Sequence, residues 1–224
     1  MRRSMLFVKD ALGVDEVQRL PADPGASYRD ADGLHRFAER LSANRDTFFV
    51  SAVLDFCFLA QRQALLDIGG FSEEFHTTPF LMLDLCLRFW QMGRPRVAAR
   101  GAFAHRNEMA FPYSEQDEAT FIHKYGLKYP YSFLPRTDLL EKVDLQKPSL
   151  AVLEVGCACG ATLLAIRNKN PEARLYGIEF NAQAAALASH FAVVESLDVE
   201  TLDRPAWHEK FDYIILGDVI EHLR

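Results

Sequence analysis

The feature that most constrains this chain is a passage near residue 155, where an apolar strand runs straight into a turn of small residues and then into a helix. Leu150-Ala151-Val152-Leu153-Glu154-Val155 is followed by Gly156-Cys157-Ala158-Cys159-Gly160 and by a helical pattern over 161–168. Small residues at such a turn let the backbone approach a ligand closely, and the helix N-terminus offers free N–H groups to an anionic part of it. An acid ends the next strand, in Tyr176-Gly177-Ile178-Glu179. A carboxylate about twenty residues beyond such a turn can accept both hydroxyls of a ribose. The two features in register point to a βαβ unit around a nucleoside-bearing ligand.

The rhythm downstream extends that unit. Strands are expected over 150–155, 174–178, 191–194 and 211–216, with helices over 161–168 and 182–190. Strands alternating with helices of this length predict a parallel sheet in an α/β, Rossmann-like fold.

Two later segments complete the pattern, Ser196-Leu197-Asp198-Val199-Glu200 and Phe211-Asp212-Tyr213-Ile214-Ile215-Leu216-Gly217-Asp218-Val219-Ile220-Glu221-His222-Leu223. With them the region from about 128 to 224 resembles the class I methyltransferases, which use S-adenosylmethionine. Glu154–Gly160 is similar to their first motif, which implies that Glu154, Gly156, Cys157, Ala158 and Gly160 surround the methionyl tail, whose carboxylate is the anion. Glu179 matches their ribose-binding acid, and Asp198 lies where an acid often meets the adenine amino group. Asp198 also suits a helix cap or a loop acid. Asp218 falls beside the methyl-transfer pocket or serves as a strand-end residue. His222 is either a surface histidine or a general base, since an unperturbed imidazole titrates near neutrality. Ala158 departs from the family, standing where it has its middle glycine. The family sheet also continues beyond the fourth strand, whereas the sequence given ends at Arg224. The expectation is therefore an incomplete class I fold, with an open edge at strand four.

The upstream part reads as mixed α/β. Helices are expected over 33–43 (with Asp32 as cap), 61–68, 84–92 and 115–125, and strands over 48–53 and 96–103. A Pro-bearing linker with a short amphipathic piece, 137–143, leads into the later strands, and the domain boundary is placed near Lys128, giving 1–127 and 128–224. Phe56–Phe75, with Gly69-Gly70-Phe71, and Leu83-Asp84-Leu85-Cys86-Leu87-Arg88 resemble the acceptor-side part of family-2 glycosyltransferases, over about 28–125. The resemblance fails at the chemistry. Leu81-Met82 stands where that family has its catalytic acid pair, and a methionine takes no proton. Asp30-Ala31-Asp32 has the letters of a metal site but no strand leading into it, and His105 suits a structural place. This half is expected to be a degenerate segment that transfers no sugar.

Composition narrows the rest. A net charge of −6 argues against a nucleic-acid surface. The four cysteines, Cys57, Cys86, Cys157 and Cys159, lack zinc spacing, so no metal is expected and reduced thiols in the cytoplasm are the simplest reading. The longest apolar run, 48–60, is interrupted by Asp55 and falls short of the ~20 residues that span a bilayer. The expected activity is methyl transfer from S-adenosylmethionine to a small molecule, glycan or glycan precursor. The rivals are sugar transfer, an inactive truncated binding module, and a nicotinamide dehydrogenase, which Glu154 before the glycines and Glu221-His222-Leu223 disfavour.

Overall fold

The computed structural model describes residues 5–6, 39, 43, 47–50, 58–94, 97–99, 105–106 and 113–224. Its centre is a four-stranded sheet made by β5 (Ala151–Val155), β6 (Arg174–Ile178), β7 (Val193–Glu195) and β8 (Tyr213–Leu216), in the order β7-β6-β5-β8. All neighbours are parallel, with Leu153 opposite Tyr176 and Ile214. Every residue of β5 is buried, as a strand covered on both faces must be, and its unbroken apolar character except Glu154 is the sequence counterpart. Two short antiparallel pairs lie upstream, β1 (Met5–Leu6) with β4 (His105–Arg106) and β2 (Thr47–Phe49) with β3 (Val97–Ala99).

Six α-helices accompany these strands among the described residues: α1 (Arg62–Asp67), α2 (Thr78–Gln91), α3 (Glu115–Tyr125), α4 (Thr137–Leu140), α5 (Ala161–Lys169) and α6 (Ala182–Ala188). On one sheet face Val152, Leu175 and Ile215 pack against Leu163 and Ile166 of α5 and Leu140 of α4. On the other, Leu153, Val155 and Ile178 are covered by Leu197, Trp207 and Phe211. Tyr176, Trp207 and Phe211 meet edge to face there, with centroids 5.1–5.7 Å apart. β8 lies at the sheet edge, where Ile214 and Leu216 are exposed.

A third core lies across the linker. Phe80, Leu83, Leu87 and Trp90 of α2 and Phe121 and Tyr125 of α3 pack with Phe133, Cys159, Ala184 and Leu187. The upstream helices thus share buried surface with the turn after β5 and with α6.

Several upstream expectations meet the structure closely. α1 stops at Gly69 and Gly70, whose φ of 81° and 73° lie in the left-handed region that ends helices. α3 has the expected bounds, opened by Ser114, whose hydroxyl accepts from Asp117 N, and closed by Gly126. The helix expected over 84–92 needs correction, because α2 begins six residues earlier, at Thr78. Thr78 to Leu83 is nearly all apolar and Pro79 sits in its first turn, so no amphipathic period announces the start. Its N-terminus is satisfied from outside: the buried Asp117 carboxylate of α3 accepts from His76 N, Thr77 N and Thr77 Oγ1. The expected helix at 33–43 lies outside the described residues except for 39 and 43. So do 51–53 and most of 96–103.

Candidate active site

The turn after β5 has the geometry its composition calls for. Gly156 and Gly160 adopt φ of 71° and 75°. A Cβ on Gly156 would lie 2.6 Å from Val219 Cγ2, and one on Gly160 would lie 2.7 Å from the Phe191 ring. Both are places where only glycine fits. Ala158 also has positive φ, 46°, at a cost of about 1–2 kcal/mol for a residue with a Cβ. Gly156 N and Cys157 N both donate to Ile178 O, at 2.8 and 3.1 Å, which pins the turn to the end of β6. The Cys157 thiol is buried against Gly177, and burial pushes its pKa up, so it is packing and not a thiolate.

Glu179, just past β6, completes the tie. Its Oε2 accepts from Ala158 N at 2.7 Å and its Oε1 from Asn181 N at 2.8 Å. Each carboxylate oxygen has two lone pairs, so both can still take a hydroxyl donor. Asn181 caps α6 through Gln183 N and Ala184 N, so Glu179 sits between two fixed backbone segments. Phe180 follows it with its ring largely exposed.

Glu154 is the anomaly of the sheet. It is buried in β5, and its Oε2 has no hydrogen-bond partner. Burial pushes its pKa up to about 8, while a hydrogen bond from Thr162 and the nearby Arg136 charge pull the other way. Thr162 Oγ1 also accepts from Arg136 N at 3.2 Å.

Arg136, which the motifs gave no reason to notice, arrives here from the linker. Its Nε and Nη2 hold Asp138 at 3.1 and 2.9 Å, and its Nη1 reaches Asp218 Oδ2 at 2.9 Å. These partners raise its pKa, with the Asp138 hydrogen bond foremost. The guanidinium lies against Gly217, where a Cβ would come within 2.7 Å of Nη1. Tyr131 stands nearby, its pKa raised by partial burial and by the negative field of Asp218, Glu221 and Glu179.

Asp218 has φ of 55° at the end of β8. Asp198 follows β7 and caps a 3-10 turn by accepting from Glu200 N at 3.0 Å. His222 is exposed in a 3-10 turn after β8. Glu154, Gly156, Ala158, Gly160, Glu179, Asp198 and Asp218 thus all follow or line the C-terminal ends of parallel strands, where α/β folds of this kind bind ligands.

The upstream motif residues are spent on structure. Asp84, fully buried, accepts from Tyr125 Oη at 2.6 Å, Arg88 Nε at 2.8 Å and Lys124 Nζ at 3.0 Å. Arg88 Nη1 donates to Ile68 O and Gly70 O, at 2.6 and 2.7 Å, and so clasps the turn after α1. Met82 is buried in α2. Asp30 and Asp32, Cys57 and the side chain of His105 lie outside the described residues.

With this geometry in view, comparison with known proteins adds a family. Residues 153–224 match the family described as a methyltransferase domain. The match covers about a third of the chain and begins well after the segment likened to glycosyltransferases. S-adenosylmethionine, the cofactor expected from the sequence, is consistent with such a domain. No curated protein matches the chain. Among solved structures, it is similar to PKMT2 from Rickettsia typhi in complex with AdoHcy, at 23% identity over 34% of this chain and 16% of that one, with a TM-score of 0.30. It is also similar to the plantazolicin methyltransferase BpumL in complex with SAH, at 25% identity over 32% of this chain and 28% of that one, with a TM-score of 0.28. A third is a SAM dependent methyltransferase from Aquifex aeolicus, at 22% identity over 36% of this chain and 46% of that one, again with a TM-score of 0.28. The chain spans less than half the length of each of these. No described helix is long and apolar enough to cross a membrane.

Proposed function

We propose that residues 128–224 bind S-adenosylmethionine at the C-terminal ends of β5, β6 and β7 and serve methyl transfer. The observation that carries this reading is Glu179, fixed by Ala158 N and Asn181 N beside a turn whose glycines hold φ above 70°. A ribose diol suits its two spare acceptor positions. Glu154, buried at the end of β5 just ahead of the same turn, backs it from within the sheet. Phe180 presents an aromatic face next to Glu179, suited to packing an adenine ring, with Asp198 at the neighbouring strand end for its amino group.

When bound, S-adenosylmethionine supplies a sulfonium methyl that is already activated, so the chain's contribution is mainly to hold donor and acceptor in line. Asp218 and His222 stand at the end of β8, where the acceptor is expected. A glycan or glycan-precursor acceptor is the proposal that the upstream resemblance supports, and the cytoplasm is the matching compartment. Sugar transfer by this chain is not favoured, since Asp84 and Arg88 hold a helix and a turn together and Met82 replaces an acid.

The test is calorimetric titration of S-adenosylhomocysteine into the chain, with NAD as control and Glu179→Ala as variant. Saturable binding of S-adenosylhomocysteine alone, lost in the variant, supports the reading. A folded, monodisperse sample that binds neither compound sinks it.

A further inference from the structure

Beside α5 lies a cavity of about 380 Å³, within the size range of small-molecule sites, that the cofactor reading does not use. Phe49 at the end of β2, Trp90 of α2, Leu164 and Arg167 of α5, and His190 and Phe191 after α6 line it. α5 gives Leu163 and Ile166 to the sheet, whereas Leu164 and Arg167, three residues apart, share another face. Trp90 is buried, and its ring tilts against His190 and Phe191 with centroids 6.1 and 5.9 Å away. The wall from β2 is tied to α5 by one side chain: Asn168 Nδ2 donates to Phe49 O at 2.8 Å, and its Oδ1 accepts from Phe49 N at 3.1 Å.

Arg167 supplies the charge. Its Nη1 donates to Pro171 O at 2.6 Å and its Nη2 to Phe191 O at 3.1 Å. Both acceptors are neutral carbonyls, which hold the guanidinium in place without neutralising it. Two of its five N–H donors are used and three remain. Among the described residues no carboxylate pairs with it. An aromatic-walled cavity with one fixed, unneutralised cation suits a planar ring that carries an anion.

We infer that this cavity binds a small aromatic carboxylate, with its ring among Phe49, Trp90 and His190 and its carboxylate on Arg167. Rings meet well offset or edge to face, and the planar guanidinium fork matches a carboxylate. The inference stands apart from the cofactor reading. Phe191 packs against Gly160, so the cavity backs onto the turn after β5, whereas the cofactor is proposed at the strand ends.

The experiment titrates 2-naphthoate, the uncharged 2-naphthalenemethanol and the aliphatic octanoate into the chain by calorimetry. One equivalent of 2-naphthoate should bind, preferred over either of the others by about 10-fold, the low end for a charge-assisted contact because Arg167 is only partly buried. Arg167→Gln should remove the preference over the alcohol, and Arg167→Lys should keep part of it. Phe49→Ala, at a half-exposed ring, should weaken both naphthalene probes alike. Saturating S-adenosylhomocysteine should leave 2-naphthoate bound. The inference is overturned if the wild-type chain does not bind 2-naphthoate, or binds the alcohol or octanoate equally well. It is overturned as well if Arg167→Gln, folded by thermal melt, keeps the preference or weakens both naphthalene probes equally, or if S-adenosylhomocysteine displaces 2-naphthoate.

Discussion

Replacing Glu154 by glutamine tests whether the buried carboxyl is as isolated as its surroundings imply. The folded chain holds the Glu154 proton up to about pH 8, against an ordinary value of 4.5, because burial penalises the carboxylate. The folded state therefore binds this proton more tightly than the unfolded state does. Stability from this group is fully present below pH 4.5 and is lost as pH rises through 8. The whole effect is at most about 5 kcal/mol, accruing at about 1.4 kcal/mol per pH unit across that window. Glutamine keeps the shape, still accepts from Thr162 and never titrates. Urea unfolding of both proteins from about pH 5 to about pH 8.5 isolates the effect, since every other titration is common to the pair. The variant should gain on the wild type steadily with pH and be the more stable by several kcal/mol at the alkaline end. A stability difference that stays constant across the range would refute the reasoning, because it would mean that Glu154 is solvated or already paired.

Ala158→Gly should raise stability by about 1 kcal/mol, read as a higher urea midpoint, since it relieves a Cβ held at φ 46°. Asp84→Ala should cost about 3–5 kcal/mol, read as a lowered Tm, because Arg88 and Lys124 lose the buried partner they share.

What the sequence made legible was local. The strand, turn and acid of the proposed cofactor site lie within thirty residues of chain (Leu150 to Glu179) and obey backbone rules that depend on nearest neighbours. The parallel sheet of β5, β6, β7 and β8 followed from the same rhythm, though not the order of its strands. What was not legible depends on partners far along the chain. The start of α2 is fixed by Asp117, some forty residues away. Arg136 reaches Asp218 across 82 residues, and nothing in a Pro-bearing linker marks it for that place. The acid and arginine of the Asp84-Leu85-Cys86-Leu87-Arg88 run were read by likeness to an enzyme motif. Their structural task became visible only with Tyr125, Lys124 and the carbonyls of Ile68 and Gly70 around them.

Cys159 belongs to two neighbourhoods at once. It is a member of the turn after β5 and, fully buried, part of the cluster that α2 and α3 build with Phe133 and α6. Its backbone N–H also points to Ser132 O. Where two events are coupled, the coupling runs in both directions by the same factor. The turn proposed to hold the ligand and the packing of α2 and α3 have one buried side chain in common. The helices upstream thus back the turn from behind, as a floor on which its middle rests.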